Sequence, residues 1–262
     1  MHVSEVLADL LAEQAALDEV LSRLSEGQWA LATASPRWDV TDQVAHLTFF
    51  DRAAAAAIRD EAAFAESVNA LMASSADGAA GVDAHTLSPV RDLPTSQRLE
   101  AWRAGRDELA GAAAGLRDDA RVQWYGPSMG AKSFLTARLM ECWAHGQDIV
   151  DAVGADRPAT DRLRHIAQLG VITRGWTYAN RKLRMPADDV HVSLQSPSGG
   201  QWTWGPDDAE SSVVGSAEDF CGVVTQRRRL QDTGLSATGE AALDWMMMAQ
   251  AFAGPPTTGP ER

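Results

Sequence analysis

Cysteine is scarce in this chain. Only Cys142 and Cys221 occur in 262 residues, far apart and with no CxxC pattern. A disulfide framework and a thiolate zinc cage are therefore excluded, and any bound metal must be held by histidine and carboxylate. Positive charge is also in short supply, with 23 Lys and Arg against 36 Asp and Glu for a net charge of -13. Lys and Arg contacts provide most of the affinity for phosphate backbones and anionic lipid, so neither nucleic acid nor membrane is an expected partner. No apolar run approaches the roughly 18 residues of a membrane span. Glu5 and Asp9 stand where a signal peptide carries basic residues, so a cytoplasmic protein is expected. No internal repeat is found.

What the chain does have is a globular composition, 45% hydrophobic and 23% charged, with alanine supplying much of the apolar count. Its length exceeds the usual single domain, which predicts one domain of ordinary size and a smaller one. Val3, Val6, Leu7, Leu10, Leu11, Leu17, Val20, Leu21 and Leu24 recur mostly at helical steps and predict a first amphipathic helix ended by Gly27. A second helix is expected from Trp38-Asp39, with Asp39 as N-cap and Asp42 three residues on. On it Val40, Val44, Leu47 and Ala54 form one stripe, and His46, Phe50 and Ala53 an adjacent one.

Helical pattern fades after Met72, and Gly78, Gly81, Pro89 and Pro94 predict a long loop from Ala76 to Pro94. Thr95 is expected to cap a third helix carrying Leu99, Trp102, Leu109 and Leu116. A fourth helix is expected from about Ala131 to Val153, stopped by Gly154. Beyond it the pattern predicts a connecting helix from Thr160 to Leu183 and a hairpin of Val190 to Leu194 and Trp202 to Trp204. A strand at Ser211–Val214, a helix capped by Ser216 and a last helix from Gly239 to Phe252 follow. The expected fold class is mainly α with a small α/β module. The expected divisions are a four-helix bundle over 1–156, a connecting helix over 157–186, a small α/β domain over 187–255 and a disordered tail over 256–262.

One stretch conflicts with this pattern. Arg138, Glu141, His145 and Asp148 repeat at three and four residues on the fourth helix, a polar stripe where a bundle core calls for leucine. Glu141 and His145 therefore share a face as two potential metal ligands. His46, on the second helix, is the candidate third ligand, because helical bundles build metal centres from facing side chains. An isolated E-x-x-x-H is also what an ordinary i,i+4 pair looks like, and a lone histidine between Val44 and Leu47 is also what a hydrogen-bonded core residue looks like. Asp148 is open to three readings: a fourth ligand, an acceptor orienting His145 from behind, which is favoured, or a solvated acid at the helix end. Arg138 either anchors a substrate carboxylate or pairs with Glu141. Cys142, about 100° around the helix from Glu141, is a packing residue. Trp202 and Trp204 are expected to pack in the core, whereas Met246, Met247 and Met248 cannot all face one way and are explained by the adaptability of methionine in a core. His85 in the expected loop is a solvent-exposed residue or a lid over the site.

The stretches from Trp38 to Leu47 and from Glu141 to Asp148 together resemble the two signatures of the DinB-like metal-binding bundles. The closer likeness is to the actinobacterial branch that includes mycothiol-dependent maleylpyruvate isomerase. That resemblance implies a divalent metal held by His46, Glu141 and His145, with zinc first and nickel, iron or manganese also compatible. It also implies a small α/β domain similar to sterol carrier proteins, and an active-site arginine from that domain, for which Arg227, Arg228 and Arg229 are the candidates and Arg227 and Arg228 are carried forward. A basic helix C-terminus complementing the dipole is the plainer reading of that run. Two imidazoles and one carboxylate leave a position open for water or substrate, as catalytic zinc sites do. The function expected from the resemblance is metal-dependent activation of a low-molecular-weight thiol such as mycothiol, for S-transfer to, or isomerisation of, a small electrophile. The alternative is a noncatalytic protein that binds metal and an apolar ligand. Monomer and homodimer are equally compatible with the chain.

Overall fold

The computed structural model describes residues 2–257 and 259. The chain divides into two units, Met1–Arg157 and Pro158–Arg262. The first is helical throughout apart from one short strand pair, and the second is a small α/β module. Among the described residues no helix is long and apolar enough to cross a membrane.

In the first unit α1 (Val3–Leu21) buries Val3, Val6, Leu10, Leu17 and Leu21 along one face. It ends before Leu24 and well before Gly27. The reason is local: Ser25 opens a new 3-10 turn, Glu26–Ala30, in which its amide donates to Gln28 Oε1 at 3.0 Å. That turn carries Trp29 into the core.

Helix α2 (Val40–Arg59) starts where expected. The Asp39 carboxylate accepts the Asp42 amide at 2.9 Å, and Asp42 returns the bond to the Asp39 amide at 3.2 Å. The expected loop from Ala76 to Pro94 is overturned. After α3 (Glu61–Ser74), capped by Asp60, the chain forms α4 (Gly78–Arg91) with Pro89 inside its last turns. Burial overrides the local breakers here: Leu87 and Val90 are fully buried against Ala45 of α2. A Cβ on Gly81 would sit 2.2 Å from the Ser74 carbonyl oxygen, so glycine is what lets α4 turn back across the end of α3. Thr95 is the first residue of α5 (Thr95–Ala113) rather than its cap, which is Pro94 in an extended conformation.

The strands β1 (Arg121–Val122) and β2 (Met129–Gly130) form an antiparallel pair that the sequence pattern does not reveal. Between them the chain presents Trp124 and Tyr125. Helix α6 (Ala131–Val153) then runs to Gly154, which is left-handed at φ 65° and so needs no Cβ. Helices α1, α2, α5 and α6 pack into a four-helix bundle around Leu17, Leu21, Trp29, Val44, Leu47, Trp102, Cys142 and Ile149.

In the second unit the expected connecting helix is broken in two, α7 (Leu163–Ile172) and α8 (Arg174–Asn180). The break falls at Thr173, whose hydroxyl donates to the Leu169 carbonyl at 2.7 Å, a side-chain bond that competes with the helix ladder. Strands β3 (Val190–Gln195) and β4 (Gln201–Trp204) form the expected hairpin, with Leu194 opposite Trp202. Strand β5 (Ser211–Ser216) lies parallel to β3. Helix α9 (Ala217–Val224) follows, with Ser216 Oγ accepting the Asp219 amide. An unanticipated β6 (Ser236–Thr238) completes the order β4-β3-β5-β6.

Trp202 is buried, Trp204 half-buried with its Nε1 donating to Gln168 Oε1 at 2.7 Å. Helix α10 (Glu240–Met248) is shorter than expected, and of its methionines Met246 is buried and Met247 exposed. The expected disordered tail lies partly outside the described residues. Within them, the Thr257 carbonyl accepts Gln226 Nε2 at 2.8 Å.

The reciprocal Asp39–Asp42 cap makes Asp39 the residue that fixes where α2 begins. Asp39→Ala is expected to lower unfolding stability by about 1 kcal/mol. Urea denaturation followed by far-UV circular dichroism checks this, and an unchanged midpoint contradicts it.

Candidate metal centre

Glu141 and His145 lie one turn apart on α6, and His46 faces them from α2. One ligand atom from each of the three comes within 4.8 Å of the others. Glu141 Oε2 is 3.1 Å from His145 Nε2 and 3.7 Å from His46 Nε2. Ligand atoms at 2.0–2.2 Å from a tetrahedral ion are separated by about 3.4 Å, so the donor set fits a divalent cation in both chemistry and spacing. The two imidazole rings lie 4.2 Å apart. The side chains of His46, Glu141 and His145 are 17%, 26% and 11% exposed, so solvent reaches them.

The electrostatics prepare these groups to ligate. Burial works against the Glu141 carboxylate, but the bonds from His145 and His46 outweigh it and hold the group well below the usual carboxylate range. Burial, reinforced by the neighbouring His145, pushes His46 down to about 4. His46 is therefore neutral near pH 7, with a nitrogen lone pair available.

Behind His145 stands Gln43, a residue that spacing alone does not single out. Gln43 Nε2 donates to Thr33 Oγ1 at 2.9 Å and to Ser35 Oγ at 3.0 Å. Its Oε1 is thereby turned toward His145 Nδ1, 2.6 Å away. With a cation between the three groups, this bond would keep the His145 proton on Nδ1 and leave Nε2, the atom facing Glu141 and His46, to ligate. Gln43 precedes His46 by three residues, a helical spacing that marks a shared face. Thr33 and Ser35 come from the segment before α2, which no periodicity connects to the site.

Asp148 is buried and lies 3.9 Å from His145 Nδ1, on the side away from the ligand cluster. That position corrects the readings of a fourth ligand and of a solvated acid. The closer acceptor on Nδ1 is Gln43, and Asp148 joins the same network by accepting from Ser35 Oγ at 3.3 Å.

Arg138 does not pair with Glu141. Its Nη2 and Nε donate to Asp51 Oδ1 at 2.9 and 3.3 Å, with both residues buried. Gln14 Nε2 donates to the other Asp51 oxygen at 3.2 Å. Burial pushes the Asp51 carboxyl up despite the guanidinium beside it. The pairing with Asp51 could not be read from spacing, because the partner lies on another helix.

His85 lies on α4 rather than in a loop, edge-on to Phe49 at 5.5 Å. Cys142 is buried in the bundle core, and burial raises its thiol well above the ordinary value. Arg227 and Arg228 belong to the second unit. There they follow α9 after the left-handed Gln226, and their amides donate to the Gly222 carbonyl at 2.8 and 3.0 Å.

The family model described as the mycothiol maleylpyruvate isomerase N-terminal domain matches residues 10–150. Two uncharacterized Mycobacterium tuberculosis proteins from different strains, Rv0036c and MT0041, are each 45% identical over 253 residues, covering 97% of either chain. Crystal structures of the mycothiol-dependent maleylpyruvate isomerase and of a histidine-to-alanine mutant of it share the fold. Each has a TM-score of 0.58 and covers 90% of this chain and 93% of its own, at 17% and 16% identity respectively.

The buried Asp51–Arg138 pair has its own test. Arg138→Met leaves Asp51 unpaired inside the bundle and is expected to cost about 3–5 kcal/mol, most of which returns in the double variant Arg138→Met, Asp51→Leu. Calorimetric melting of the two proteins decides it. A double variant as unstable as the single one contradicts a pairing role.

Proposed function

The chain belongs to the mycothiol maleylpyruvate isomerase N-terminal domain family, and on that basis we propose that it is a metal-dependent enzyme activating a low-molecular-weight thiol of the mycothiol type. The observation that carries this reading is the convergence of His46, Glu141 and His145 from two helices onto one point. Zinc suits two imidazoles and a carboxylate, and nickel, iron and manganese suit them too. A divalent metal at this point would supply the Lewis acidity that lowers the pKa of a thiol toward neutral pH.

The protein's own residues do the rest. His46, Glu141 and His145 would hold the ion. Gln43 keeps the His145 proton on Nδ1, so that Nε2 does not compete for it. In isomerisation the sulfur adds to one carbon of a conjugated double bond, and the electron pair moves to the carbonyl. Rotation follows, and the S–C bond then breaks to regenerate the thiolate. In S-transfer the S–C bond forms as the leaving group departs with its electron pair.

Protein purified without chelator is expected to contain about one metal per chain, and His46→Ala and His145→Ala are expected to lose it. Mycothiol should raise the melting temperature of the metal-loaded protein but not that of His145→Ala. Elemental analysis and thermal-shift titration make the check, and a metal-free protein indifferent to mycothiol contradicts the proposal. Gln43→Leu should keep the ligands but weaken metal affinity by about 10–100-fold. Competition with a chromogenic chelator measures this, and unchanged affinity rules out the orienting role.

A further inference from the structure

A band of aromatic side chains, most of them half-buried, runs from the ligands across the bundle. Around His46 stand Trp38 and Phe50, with ring centroids 5.2 and 4.6 Å from the imidazole. Phe50 meets Tyr125 edge-on at 5.7 Å and Trp124 at 6.4 Å. Behind them the fully buried Phe64 stacks on Trp124 at 5.4 Å with the ring planes 4° apart, and Phe134 meets Trp124 edge-on at 5.1 Å. The front rings, Trp38, Phe50, Trp124 and Tyr125, are half-buried, so each keeps surface open to solvent. A contiguous set of partly exposed rings braced by buried ones marks a place for an apolar ligand.

Charge around the ligands points the same way. A small dianionic acid needs cations to receive it, yet three arginines of this unit near the site residues already face carboxylates. Arg138 is held by Asp51, Arg37 lies 3.0 Å from Asp83, and Arg91 lies 2.7 Å from Asp42. At the centre itself the two positive charges of a divalent ion would be offset by Glu141 and a thiolate, leaving no net charge to attract a dianion.

Building on the thiol reading above, we propose that the electrophile taken by this site is a neutral molecule with an aromatic or similarly flat apolar body, seated against Phe50 and Trp124. In S-transfer to a chloroarene the sulfur bonds to the ring carbon and chloride leaves with the C–Cl pair.

The test compares two thioether conjugates of mycothiol, one bearing a dinitrophenyl group and one a succinyl group, binding to the zinc-loaded protein in a calorimeter. The dinitrophenyl conjugate is expected to bind about tenfold more tightly. In Phe50→Leu and Trp124→Leu proteins that retain zinc, the difference is expected to shrink to about threefold or less. A succinyl conjugate that binds equally well or better overturns the inference, as does a preference that survives unchanged in both variants. If neither conjugate binds while free mycothiol does, the inference falls and the thiol reading stands. If mycothiol does not bind either, both fall.

Discussion

The Glu141 carboxylate between two imidazoles is the constraint around which the first unit is arranged. A half-buried anion is tolerated only where donors or a cation compensate for lost water. Here His145 lies 3.1 Å away on the same helix and His46 3.7 Å away on another. The carboxylate thus links α2 to α6 where a leucine would otherwise serve. Holding that arrangement requires both helices to be fixed in register, and the surrounding structure does this with interactions of a more ordinary kind.

On α2 the reciprocal cap between Asp39 and Asp42 sets the first turn, and Arg91 of α4 grips Asp42 at 2.7 Å. Beyond that cap, Val40 and Val44 enter the core while Gln43 and His46 turn toward α6. On α6 the buried Arg138 reaches Asp51 of α2, a second cross-link one turn before Glu141. The two helices are therefore tied at both ends of the ligand set, once by an ion pair and once by the amide of Gln43. A site supported in this way holds its geometry before any ligand arrives, the condition under which binding energy is not spent on ordering side chains.

Much of this was legible from residue spacing. The bundle helices announced themselves through apolar periodicity, and the E-x-x-x-H pair through a polar stripe that no core needs. His46, the proposed third ligand, is a candidate through its place beside an apolar stripe on a facing bundle helix. Where spacing failed, tertiary contacts had decided the outcome. Helix α4 was read as a loop because Gly78, Gly81 and Pro89 punctuate it, whereas Leu87 and Val90 gain enough by burial on α2 to hold the helix. Thr173 split a helix that its apolar pattern presents as continuous. Gln43 lies within the Trp38–Leu47 stretch, but its pairing with His145 is hidden from spacing because it depends on Thr33 and Ser35 orienting its amide from outside any periodic element. Arg138 carried the right chemistry for a substrate anchor, but its partner, Asp51, sits on a different helix.

The central claim is that these three side chains, and no others, form one metal centre. X-ray absorption spectroscopy on the zinc-loaded protein addresses it most directly. The account predicts a first coordination sphere of two imidazole nitrogens and oxygen, joined by one sulfur scatterer when mycothiol is added. A sphere with fewer than two imidazoles, or with sulfur already present before any thiol is added, would contradict it.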